Sequence, residues 1–128
     1  MTQFAERTDT AIRGRLYLEG IQVRRGGVTI SVENEQGESW QIVFDYYLAI
    51  RVADEGYRLM TAPQLPTSGC RVLEAQESEF IGWIRQESAG VNANELLIHT
   101  VVLTSDDIVE VVSFEPALIR HSTEPVAG

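Results

Sequence analysis

Two histidines, one cysteine, two adjacent acidic pairs and a scatter of serines are the side chains of this sequence that could do chemistry. His99 leads them, because an imidazole titrates near neutrality and this one lies inside the apolar run 96–103. In strand alternation it shares a face with Leu97, Val101 and Leu103. It therefore reads as a histidine hydrogen-bonded near the core, or packed on a helix, before it reads as a base. His121 lies in the C-terminal tail, too far along the chain for the two to suggest a metal site. Asp54-Glu55 and Asp106-Asp107 are adjacent acids, whereas an oxygen cage for calcium needs ligands at alternating positions of a long loop. Such pairs are usually solvated turn formers. Ser68, Ser88, Ser105 and Ser113 have no nucleophile-elbow context, and Gly26-Gly27 precedes no helix that could cradle a phosphate. Cys70, after Gly69, reads as a small buried residue at a strand start. No catalytic, cofactor or metal site is expected.

Charge and aromatic content point toward contact. Nineteen acidic residues against ten basic ones give a net charge of −9, which disfavours a nucleic-acid partner and complements a basic protein. Every basic residue is an arginine, from which no site is drawn. Trp40, Tyr46, Tyr47, Tyr57 and Trp83 offer area for either a core or an interface, with the core reading preferred for Trp40 and Trp83. The turns supply the candidate partner-binding residues: Asp54, Glu55, Tyr57, Asp106 and Asp107. A lone cysteine allows no internal disulfide, no apolar run reaches the roughly 18 residues of a membrane span, and the first residues lack a signal peptide's apolar centre. A cytoplasmic, acidic protein is expected, as a single domain over 1–128 with mobile ends at 1–12 and 121–128.

The elements that must position these residues are mostly strands. Residues 15–19 and 21–24 alternate in opposite phases, so Gly20 marks a β-bulge. Arg25-Gly26-Gly27 and Asn34-Glu35-Gln36-Gly37 are turn signals that separate strands at 28–33 and 40–44. Residues 46–52 are apolar on both faces and are read as a strand, returning through Asp54-Glu55-Gly56 to a short strand at 57–60. Residues 62–69 hold Pro63 and Pro66 and read as a surface loop before a strand at 70–74. The β-branched runs 96–103 and 108–114 form the hairpin at the sheet centre, and 117–120 is a short edge strand after Pro116. One helix is expected at about 78–89. Ser78 caps it, Glu79 meets its positive end, Phe80, Ile81, Trp83 and Ile84 form its apolar stripe, and Gly90 ends it. Gly82 suggests a close approach to the sheet. The fold class is α+β, mainly antiparallel sheet in a meander, with an open sheet and a partly closed barrel both compatible.

The segments Ser78-Glu79-Phe80-Ile81-Gly82-Trp83 and Glu87-Ser88-Ala89-Gly90, then Ile98-His99-Thr100 and Asp107-Ile108-Val109-Glu110-Val111-Val112 ending in Glu115-Pro116, carry a resemblance. With residues 44–56 it covers about the last two thirds of the chain. The sequence resembles small bacterial proteins, some of which look like immunity proteins of polymorphic toxin systems. The resemblance implies a cytoplasmic, non-catalytic protein that binds and blocks a toxin domain, and it transfers no site residue. Two other classes stay open: a small-molecule binder or enzyme with a pocket between helix and sheet, and a homodimer joined through strand edges.

Overall fold

A computed structural model describes residues 4–54, 65, 69–91 and 94–122. Its first large unit is a meander built by two tight turns. Strands β2 (Leu16–Arg24) and β3 (Gly27–Asn34) meet through Arg25 and Gly26, both at positive φ (45° and 85°), as a two-residue hairpin turn requires. The register shifts between Leu18 and Gly20, placing the expected bulge. Asn34 builds the next turn, its Oδ1 accepting from the backbone N–H groups of Gln36 and Glu38. That turn leads to β4 (Ser39–Phe44). Along β3 and β4, Val28, Ile30, Val32, Trp40, Ile42 and Phe44 alternate inward and are buried.

The second sheet forms around the long hairpin of β7 (Ile98–Leu103) and β8 (Asp107–Ser113). Thr104 closes that hairpin's turn, its hydroxyl donating to the Asp107 carbonyl and accepting from the Asp107 N–H. Strands β1 (Ala5–Glu6), β5 (Ala49–Asp54) and β6 (Val72–Ala75) complete an antiparallel order β1-β6-β7-β8-β5. Strand β9 (Leu118–His121) joins β4 at the edge of the first sheet, giving β2-β3-β4-β9. Among the described residues, neither sheet closes into a barrel. Val72, Val102, Val109 and Val111 of the five-stranded sheet pack against Val28, Ile30, Val32 and Ile42 of the four-stranded one, and this sandwich is the main core.

Helix α1 (Glu79–Glu87) covers the other face of the five-stranded sheet, burying Phe80, Ile81 and Ile84 against Leu97 and Val112. Full burial of each such side chain contributes roughly 1.5–3 kcal/mol, which a nine-residue helix needs because its isolated form is marginal in water. Two details of the helix correct the sequence reading. Trp83 is 51% exposed, outside the buried stripe. Gly82 is exposed too, and a Cβ built on it meets nothing within 4 Å, so no close approach requires glycine there.

Near the N-terminal end, Ala5–Glu6 pairs with β6 and Ile12 is fully buried. Arg7 explains the anchoring: it bonds Asp9, Glu74 and the Ala117 carbonyl, so one guanidinium ties the arm to β6 and to the residue before β9. The hydrogen bonds from Arg7 also hold the Asp9 carboxyl below its ordinary pKa. His121 belongs to β9, opposite Trp40 and edge-on to its ring. The strand expected at 57–60 and the loop centred on Pro63 and Pro66 lie outside the described residues.

Candidate functional site

The most unusual chemistry of the fold lies under α1, where β5, β7 and β8 each send one polar side chain to the helix-facing side of the sheet. Register sets this up: Arg51 stands opposite Glu110 across β5 and β8, and His99 stands opposite Val112, one same-face position further along β8. Glu110 is fully buried and His99 is 2% exposed. Burial of a carboxylate is costly unless donors surround it, and Arg51 and His99 are among those that do. Arg51 Nε lies 2.6 Å from Oε2, Arg51 Nη2 3.0 Å from Oε1, and His99 Nε2 2.9 Å from Oε1.

The other ring nitrogen reaches the helix. His99 Nδ1 is 2.8 Å from Ser78 Oγ, and Ser78 Oγ accepts from the Ile81 N–H at 3.1 Å, the N-cap bond of α1. Ile81 donates to the Ser78 oxygen, and the imidazole bridges that oxygen and the Glu110 carboxylate through its two ring nitrogens, whose donor and acceptor roles follow from the tautomer. Phe4 and Phe80 meet the imidazole nearly perpendicular, at 5.2 and 5.3 Å between centroids, and the Arg51 guanidinium lies 4.1 Å over the Phe80 ring. Arg51 itself is 42% exposed, so the network runs from solvent to the helix cap.

Serine, histidine and glutamate in this order match a nucleophilic triad in composition, yet the serine oxygen already serves the cap and the imidazole is enclosed. As arranged, the chain of bonds fixes the start of α1 to the sheet centre. The sequence placed His99 correctly against the core but missed its partners. A single glutamate inside Ile108-Val109-Glu110-Val111-Val112 was the available signal, since a buried charge requires an opposite one.

The outward face of α1 is its complement. Glu79, Trp83 and Glu87 recur at four-residue spacing and so line up along one side, all three exposed. Arg85 pairs with Glu77 and donates to the Glu95 carbonyl at 3.2 Å, which ties the segment before β7 to the helix. The result is a half-exposed indole with carboxylates one turn to either side.

Of the sequence-predicted contact residues, Asp54 and Asp107 stand opposite each other in register and Asp106 precedes β8 in its turn, so these three gather at one end of the five-stranded sheet. Glu55 and Tyr57 lie outside the described residues. Cys70 is buried, bonded through Sγ to the backbone of Val72. Among the described residues, no His, Cys, Asp and Glu side chains converge as a metal-binding set, and no helix is long and apolar enough to cross a membrane. Comparison with protein-family models, curated proteins and solved structures finds no match for this chain.

Proposed function

We propose that the protein is a non-catalytic, cytoplasmic binding module that holds a basic protein partner through the outward face of α1. The observation that supports this reading is the stripe Glu79, Trp83, Glu87 on a helix whose start is bonded into the sheet. Tryptophan is enriched among the residues that dominate interface energetics, and a rigid helix presents it with little ordering cost. Flanking carboxylates and a net charge of −9 complement a cationic surface and speed encounter. A toxin domain, whose blocking the sequence resemblance implies, is the partner we propose, with the acidic end at Asp54, Asp106 and Asp107 contributing to long-range attraction.

The test is capture from the native host with the full chain, followed by identification of the retained protein and binding with purified components. A basic protein that binds at low salt, releases at high salt and loses at least tenfold in affinity to Trp83→Ala supports the proposal. A partner that binds Trp83→Ala equally well overturns it. A second reading, hydrolytic, draws on the Ser78, His99 and Glu110 bonds. Covalent labelling of Ser78 by a fluorophosphonate probe, abolished by His99→Ala, would favour that reading.

A further inference from the structure

The chain changes sheets twice at one corner of the sandwich. Residues 45–48 carry it from β4 to β5, and residues 114–117 carry it back from β8 to β9. Because β5 pairs with β8 and β4 with β9, these crossovers run side by side. Between them lies a groove of about 280 Å³ lined by Phe44, Asp45, Tyr46, Phe114, Glu115 and Pro116.

We propose that this groove is a socket for an arginine side chain of the protein partner, an inference that rests on the reading of a basic partner given above. Three observations converge on a guanidinium. Tyr46 and Phe114 stack nearly parallel, 13° between planes and 6.1 Å between centroids, and Tyr46 is 58% exposed, so an aromatic face is open to a planar cation. Asp45 and Glu115 line the same groove, and among the described residues neither carboxylate has a hydrogen-bond or ion-pair partner. The volume, at the small end of the range for ligand sites, is enough for one inserted side chain.

The walls are also fixed in advance. The Tyr47 N–H donates to the Gly26 carbonyl at 2.9 Å and the Leu48 N–H to the Val112 carbonyl at 2.8 Å, which anchors the first crossover to both sheets. Gly26, at a φ of 85° that favours glycine, lies beside the Tyr46 ring. On the second crossover, buried Ser113 donates from Oγ to the Glu115 carbonyl at 2.7 Å. Phe114 also packs on the apolar cluster beneath α1, which ties this wall of the groove to the helix side of the sheet.

The experiment titrates the isotopically labelled full chain with blocked Gly-Arg-Gly, Gly-Lys-Gly and Gly-citrulline-Gly peptides while the backbone amides are followed by NMR. The arginine peptide should shift the amides of residues 44–46 and 114–115 saturably. The citrulline peptide, equal in shape but neutral, should bind about tenfold more weakly, with lysine between them. Tyr46→Ala, Asp45→Asn and Glu115→Gln should each weaken the arginine peptide about threefold or more. These are exposed or near-isosteric changes, and unchanged spectra elsewhere will show that the fold persists. Absence of saturable shifts at those amides, equal binding of citrulline, or equal binding of lysine overturns the socket. No partner protein enters this titration, so a null result here with Trp83-dependent capture intact removes the socket and leaves the binding function standing.

Discussion

The two faces of the five-stranded sheet are made by alternate residues of the same strands, and they do different things. Toward the second sheet, Val72, Val102, Val109 and Val111 present aliphatic surface. One residue along, toward the helix, come His99 and Glu110, with Arg51 from the neighbouring strand. Aliphatic packing is non-directional and tolerates substitutions that keep volume. A buried carboxylate bonded to a guanidinium and an imidazole has few acceptable arrangements, so it holds α1 in one orientation. The first face contributes cohesion and the second contributes placement. What the helix displays outward, Trp83 between two glutamates, depends on the second.

The strongest way to break this contrast is Glu110→Ala. It leaves Arg51 and His99 without their carboxylate and should cost about 3–5 kcal/mol, read from the denaturant midpoint at constant slope. Ser78→Ala removes the cap and the helix end of the network, for about 0.5–2 kcal/mol, with the loss concentrated in the amides of α1. On the aliphatic face, Ile30→Val deletes one methylene from a fully buried site and should cost about 0.5–1.5 kcal/mol without changing helix protection. Gly82→Ala sharpens the picture from the other side. At an exposed helical site with open space it should raise stability by about 0.5–1 kcal/mol, and a loss instead would mean that the helix sits closer to its surroundings than described.

Much of the fold could be read from local pattern. The reversal of phase around Gly20, the Arg25-Gly26 turn, the Ser78 cap and the β-branched hairpin at the centre each follow from residues near one another in sequence. Trp83 was misplaced for a geometric reason. At 3.6 residues per turn it lies about 200° around the axis from Ile81, on the far side, although its three-residue spacing from Phe80 suggested a shared stripe. The arm at 4–12 lacked periodicity because its order comes from Arg7 reaching two distant groups, Glu74 and the Ala117 carbonyl. The polar network was illegible for a related cause. Ser78, His99 and Arg51 meet Glu110 or one another only through the order β7-β8-β5 and the docking of α1, which no local window contains. The groove at the sheet crossovers likewise joins residues 44–46 to 114–116 through strand pairing alone.

Hydrogen exchange on the unmodified protein tests the central claim that the polar face locks α1 to the sheet. The account predicts that the amides of Gly82, Trp83 and Ile84 exchange as slowly as those of β7 and β8, opening only with the whole domain. Helix amides that exchange orders of magnitude faster while the hairpin stays protected would contradict it, because the network would then not be holding the helix.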